Sequence, residues 1–407
     1  MKLRHSFVFL FAAVLGLKAM AGEAPLMLTY DKPSQKWMGA LPLGNGRLGA
    51  MVYGGIDRET IALNEVTLWS GQPDPEANNL CGPEKLREMR EAFLSGDYQR
   101  GNELGWQNLC GHGKSFGTHL PFGDLVITEG TAKTESTEYS RSLSLSEAVA
   151  TVSYEQEGVR YEREYFTSNP AQVLVVRYTA NKAHAISVTI GMQMLRYSAV
   201  SASCPSARQG CLDITGDARF DKNGEGGVRF RGIVSAQVDG GTVVADGDRL
   251  TVKDATTLTI ITDIRTDFQN MNYRQQCLQT VKTAAAQSYQ QLKNLHAKDY
   301  QRLFNRMSLS LTPDPSPKER GVESYANESS NSKGDHSPLL GRGAGGEATL
   351  ALFAEAHQGK SNPAFDALFF QYGRYMQISS SRENSPLPSN LQGIWNDNLA
   401  CNMPWTC

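Results

Sequence analysis

Apart from one short run near its start, this 407-residue chain has no long hydrophobic stretch. That run, residues 7–17, is far shorter than the roughly 20 apolar residues needed to cross a bilayer, so no membrane span is expected. Neither charge sign is in excess. Lys and Arg number 40, Asp and Glu number 42, and the net charge is −2. That balance argues against nucleic-acid binding through bulk charge and against a disordered polyelectrolyte. Histidine is scarce and scattered, with no H-E-x-x-H and no paired ligand spacing, so no metal site and no cofactor are expected. The seven cysteines form no C-x-x-C, which excludes a zinc ribbon or a thioredoxin-type motif.

Two short motifs look like chemistry and lack its context. Gly44-Asn45-Gly46-Arg47-Leu48-Gly49 matches G-x-G-x-x-G. A dinucleotide site needs a helix directly after the glycines to hold the pyrophosphate. Here Ala50-Met51-Val52-Tyr53 follows and reads as a strand. Gly113-Lys114-Ser115-Phe116-Gly117 matches G-x-S-x-G, but no buried strand precedes the serine and no helix follows it, so a glycine-rich loop is expected.

What is present organises the chain. Residues 1–21 have a basic start, an apolar run of signal length and Ala19-Met20-Ala21 as a cleavage site, the pattern of a secretory signal. Export to the periplasm or the extracellular space is expected. It would permit disulfides, for which Cys204 with Cys211 and Cys81 with Cys110 are candidates. Strands are expected at 26–30, 48–53, 60–63, 145–154, 160–166, 172–178 and 185–195, where Thr, Val and Tyr alternate between turn residues. Their number implies an all-β, two-layer sandwich over residues 22–268, with a barrel as the alternative. Two helices interrupt it, one opening at Pro83 and one following Asp97.

From 269 to 311 a helical pattern takes over, with Leu278, Val281, Ala285, Ser288 and Leu292 three or four apart. Residues 312–348 are rich in Pro, Gly, Ser and charge and read as a disordered insertion. In 349–407, Asn362 and Pro363 mark a helix start, and Phe365, Leu368, Phe369, Tyr372 and Met376 form an apolar stripe. Nothing in the sequence sets an oligomeric state.

Four segments carry a family signature. They are Leu41-Pro42-Leu43-Gly44-Asn45-Gly46-Arg47-Leu48-Gly49-Ala50, Ala62-Leu63-Asn64-Glu65-Val66-Thr67-Leu68-Trp69-Ser70-Gly71, Leu120-Pro121-Phe122-Gly123-Asp124-Leu125 and Pro388-Ser389-Asn390-Leu391-Gln392-Gly393-Ile394-Trp395-Asn396-Asp397. Together they resemble glycoside hydrolase family 95, chiefly α-L-fucosidases, over residues 26–311 and 349–407.

The resemblance implies an N-terminal β-supersandwich, a helical linker and an (α/α)6 barrel that begins within 349–407. It implies inverting hydrolysis of fucosylated glycans by a Glu acid and an Asp base aided by an N-x-N asparagine pair. It places all four beyond Cys407, so no catalytic residue is expected in this chain. The chain is then read as a truncated, inactive N-terminal portion of such an enzyme. Trp395, Asn396, Asp397, Arg382 and Gln392 are the candidates for sugar contact, with loop anchoring as the competing role. Glu65 is the one acid in the motifs that tempts as a proton donor. The rival readings are a non-catalytic carbohydrate-binding or interaction module, and a family 65 disaccharide phosphorylase, for which no phosphate site is visible.

Overall fold

The computed structural model describes residues 26–71, 81–109, 117–130, 136–194, 198–218, 227–309, 363–391 and 393–398. The 312–348 segment, the N-terminal 1–21 run, Asn362, Gln392, Cys110 and the serine of the G-x-S-x-G motif lie outside them. Sixteen strands are described: β1 (Met27–Tyr30), β2 (Leu41–Gly44), β3 (Leu48–Val52), β4 (Arg58–Glu65), β5 (Gly123–Glu129), β6 (Thr137–Ser144), β7 (Val149–Gln156), β8 (Val159–Ser168), β9 (Val173–Ala180), β10 (Ile186–Met194), β11 (Ser198–Ser206), β12 (Gln209–Asp217), β13 (Arg229–Asp239), β14 (Thr242–Asp246), β15 (Arg249–Ala255) and β16 (Thr257–Thr266). The described helices are α1 (Pro83–Leu94), α2 (Tyr98–Asn108), α3 (Tyr273–Ala285), α4 (Tyr289–Phe304) and α5 (Pro363–Ser380).

The strands form two sheets. One has nine strands in the order β1-β6-β7-β8-β9-β16-β13-β12-β11, the other seven in the order β14-β15-β10-β5-β4-β3-β2. Strand side chains alternate between faces, and the inward set (Leu43, Ala50, Leu125, Tyr165, Val176, Ile190, Leu258) forms the main core between the sheets. The outward set of the nine-stranded sheet, including Phe166, Val175, Ile233 and Ile261, meets Cys277, Val281 and Ala284 of α3 and Leu292 of α4. The outer face of the seven-stranded sheet carries a smaller cluster, in which Met51, Ala62 and Val66 receive Ile394 and Trp395. The molecule is therefore mostly β-sheet, a β domain followed by helices.

Local chemistry departs from the sequence pattern in four places. The expected strand 145–154 starts only at Val149, as β7, because residues 145–148, with Ala148 at φ 54°, form the turn that separates β6 from β7. The continuous helical stripe through Ser288 is two helices. Ser288 is the N-cap of α4 in a reciprocal capping box with Gln291, so it stands outside the stripe. Cys204 and Cys211 are free and unbonded. Cys204 packs on the inter-sheet core and Cys211 on the α3 side, so the β11–β12 hairpin directs them to opposite faces. On α5, Leu368 of the expected stripe is buried and Tyr372 and Met376 pack half-buried on the core, but Phe369 is 66% exposed and Tyr375 is buried in its place, so the buried face is rotated by part of a turn. Among the described residues no helix is long and apolar enough to cross a membrane.

Candidate functional site

The four signature segments converge where the end of α5 and the 381–398 loop sit on the sandwich. Their seat is the β2–β3 turn. Asn45 shapes it: its Oδ1 accepts the Arg47 and Leu48 amides at 3.0 and 2.7 Å, and its Nδ2 donates to Ser168 O at 2.9 Å. Gly46 turns at φ 84°, in the left-handed region. Its amide donates to Ser379 O at 2.8 Å, and its carbonyl accepts the Ser385 hydroxyl at 2.8 Å.

A Cβ on Gly44 would stand 2.5 Å from Ser379 O, and one on Gly46 would stand 2.5 Å from Ser385 Oγ. On Gly49 it would press Ile394 at 3.1 Å. The glycines of the G-x-G-x-x-G motif thus allow close approach of a segment more than 330 residues away, and β3 follows them in place of a nucleotide-binding helix.

Arg47 locks this turn to the sandwich. Its guanidinium pairs with Asp263 at 2.5 Å, lies 3.5 Å from Glu65, and donates to Gln172 Oε1 at 2.8 Å, Gln172 O at 3.0 Å and the Ile264 carbonyl. Burial alone would favour its neutral form, but Asp263 and Glu65 outweigh burial and the pKa is raised. Glu65 is fully enclosed: its Oε2 accepts the Thr67 amide at 2.8 Å and the Thr67 hydroxyl at 2.5 Å. Burial pushes its carboxyl pKa up, and Arg47 and Thr67 pull it back only in part. A raised pKa suits an acid, yet both oxygens are engaged inside the fold and the residue is 2% exposed. It cannot reach a glycosidic oxygen.

Three of the sequence-predicted sugar contacts meet around this seat, turned inward. Trp395 is buried and donates from Nε1 to Leu43 O at 2.9 Å. Asn396 and Asn64 exchange a reciprocal pair, Asn396 N to Asn64 Oδ1 at 3.1 Å and Asn64 Nδ2 to Asn396 O at 3.0 Å. Asn396 Nδ2 also donates to His119 O at 2.6 Å. Arg382 is paired with Asp299 of α4, its side chain 5% exposed. Asp397 differs: it is exposed and lies near Tyr53. Burial raises the Tyr53 hydroxyl pKa, and Asp124 and Asp397 raise it further. The fifth candidate, Gln392, lies outside the described residues.

His119 was not singled out by sequence reasoning. Its ring lies 5.7 Å from Trp69, its Nε2 contacts Glu65 O at 3.0 Å, and its buried Nδ1 has no partner among the described residues. Burial lowers its pKa. The one available signal was its place directly before the Leu120-Pro121-Phe122-Gly123-Asp124 segment. No group of three or more His, Cys, Asp or Glu among the described residues could hold a metal ion.

Known proteins match this arrangement. Residues 28–271 match the glycosyl hydrolase family 65 N-terminal domain, and residues 288–407 match the glycosyl hydrolase family 95 catalytic domain. The chain is 28% identical to Alpha-L-fucosidase 2 of Arabidopsis thaliana over 94% of this chain and 45% of that protein. It is 29% identical to "Probable alpha-fucosidase A" of Aspergillus niger over 89% of this chain and 43% of that protein, and 29% identical to its Aspergillus oryzae namesake over 94% and 51%. The chain therefore spans about half the length of the curated relatives it matches. A glycosyl hydrolase family 65-type N-terminal β domain, which makes up more than half of the chain, is joined here to sequence that matches the family 95 catalytic domain, so the chain belongs to the glycosyl hydrolases that carry this N-terminal domain and is similar to the α-L-fucosidases of family 95.

Proposed function

We propose that these 407 residues are the N-terminal portion of an exported, inverting α-L-fucosidase-type hydrolase acting on fucosylated glycans. The observation that carries this reading is the reciprocal Asn64–Asn396 pair beneath Trp395, which fastens family 95 catalytic-domain sequence to the β-sandwich. On this reading the domains run as 1–21 signal, 22–268 supersandwich, 269–311 helical linker, 312–348 insertion and 349–407 the first part of an (α/α)6 barrel.

The Glu acid, the Asp base and the N-x-N pair are supplied from beyond Cys407. The described residues then provide the platform that holds the barrel's entry loop. Asp397, the outward-facing candidate, borders the substrate path. Inversion requires the acid and base to stand about 6.5–9.5 Å apart with a water between them, which calls for a rigid platform.

The test is hydrolysis of an aryl α-L-fucoside, with product stereochemistry read by NMR. The complete gene product is expected to release β-L-fucose, and the 407-residue chain alone to show no turnover above background. Turnover by the 407-residue chain, or retention of configuration, would overturn the reading. Glycan binding without hydrolysis by the complete gene product would favour the carbohydrate-binding alternative.

A further inference from the structure

The outer face of the seven-stranded sheet carries a second feature, beyond the patch covered by Trp395. A depression of about 230 Å³ opens over β4, β5, β10 and β15. Its floor is Val126 and Gly191, and its rim includes Arg58, Thr128, Thr189, Gln193 and Arg249.

Gly191 is the informative residue. It lies in the interior of β10, which pairs on both sides, where glycine weakens a strand. Elsewhere in the sandwich such glycines have an internal reason. A Cβ on Gly232 would stand 2.5 Å from Phe122, and one on Gly210 would stand 2.7 Å from Val243. At Gly191 the φ is not left-handed, and a Cβ would meet only the Arg249 side chain, at 3.5 Å. No internal packing requires the missing side chain. A strand glycine of this kind leaves room for a ligand to approach the backbone closely.

The chemistry around it is mixed and balanced. Arg58 donates to Gln193 Oε1 at 2.9 Å. In register with Gln193 on the next strand is Asp124, whose carboxylate accepts no hydrogen bond among the described residues. Burial pushes its pKa up, with Arg58 opposing. Arg249 is offset by Asp248 at 3.6 Å. Asp124 also lies near the Tyr53 hydroxyl, whose pKa it raises. Donors and acceptors thus alternate around a small apolar floor with charges of both signs. That pattern suits a neutral ligand with many hydroxyls and does not suit an anion or an apolar peptide.

We propose that this face of the sandwich, centred on Gly191, is a binding site for a neutral oligosaccharide. One sugar ring lies on Gly191 and Val126. Arg58, Gln193 and Asp124 hydrogen-bond its hydroxyls. The choice of a carbohydrate rests on the glycoside hydrolase reading above.

The test is titration of the 407-residue chain with cellotetraose, lacto-N-tetraose and 2′-fucosyllactose, followed by NMR or calorimetry, with a sulfated disaccharide as the anionic probe. At least one neutral sugar is expected to bind in the roughly millimolar range. Gly191→Trp should abolish binding, and Arg58→Ala and Asp124→Asn should each weaken it about fivefold or more. The thermal midpoint should be unmoved in the Arg58→Ala variant, whose side chain is exposed. Absence of binding by every neutral sugar at about 20 mM, binding indifferent to both Gly191→Trp and Arg58→Ala, or preference for the sulfated probe would overturn the proposal. Fucoside turnover by the complete gene product is read separately. Turnover without groove binding refutes only the groove, and groove binding without turnover refutes only the proposed activity.

Discussion

Two buried arginines hold this molecule together in different ways. Arg163 lies between the sheets, 3.3 Å from Glu59 and 3.5 Å from Glu129, with its guanidinium 2.7 Å from the Tyr154 hydroxyl and over the Tyr178 ring. All its partners belong to the sandwich. Arg47 instead lies at the end of the sandwich, and through the Asn45–Gly46 turn it supports a segment that arrives much later in the chain. Buried ion pairs add little net stability over an apolar replacement, but they are costly to break from one side. The Arg163 cluster therefore sets how the two sheets register, whereas the Arg47 cluster sets whether the catalytic-domain segment has a surface to dock on.

The largest effect should come from Arg163→Ala, which takes the arginine's positive charge away from the buried Glu59 and Glu129. A loss of about 3–5 kcal/mol in urea unfolding is expected, with the whole chain melting together. Arg47→Ala should approach the same magnitude in its effect on the β2–β3 turn but differ in kind. Limited proteolysis within 381–398 should appear before global unfolding. If both variants melt in a single step with unchanged protease protection, the distinction between the two arginines is lost.

Helix α4 gives a pH-dependent version of the same comparison. His296 on α4 is buried against the Glu147 and Ala148 carbonyls, and burial depresses its pKa to about 4. Between that value and the ordinary 6.5 the unfolded chain binds a proton that the folded chain does not. Stability should therefore rise with pH across this window and fall by about 3 kcal/mol in total on acidification. Denaturation midpoints at pH 7 and pH 4.5 should converge in His296→Gln, and a wild-type slope retained in that variant would count against the assignment.

Smaller still is Asn64→Ala, expected to destabilise by about 1–3 kcal/mol. It should be recognisable by faster hydrogen exchange at the Asn396 amide while β7–β9 stay protected. Last comes Glu88→Gln on the α1–α2 hairpin, whose ion pairs with Lys85 and Arg100 are exposed. No shift in the thermal midpoint is expected, because solvent screens such pairs.

Much of the sandwich was legible because alternation of apolar and polar residues encodes which face is buried. The helix-period pattern at 278–292 was equally plain, yet its break was missed. Ser288 fits both a stripe position and an N-cap, and only the glutamine three residues on distinguishes them. The turn at 145–148 was hidden because its two ends, Leu145 and Ala148, are apolar and buried although they lie in no strand.

The site was harder to read. The signature segments were visible, but the meaning of Gly44, Gly46 and Gly49 depends on atoms of Ser379, Ser385 and Ile394. No local pattern reports a neighbour that distant. For the same reason Trp395 and Asn396 could be read as sugar ligands or as loop anchors until their partners were placed.

The Asn64–Asn396 pair spans 332 positions of sequence. At ribosomal rates of about 5–20 residues per second, roughly 15–65 s separate the synthesis of its two halves. Once the seven-stranded sheet has formed, and until residue 395 is made, Met51, Ala62 and Val66 present an uncovered apolar patch on its outer face. The nascent sandwich is thus open to misassociation until Trp395 arrives, and any chaperone that binds it early has a defined patch to hold and a defined event that releases it.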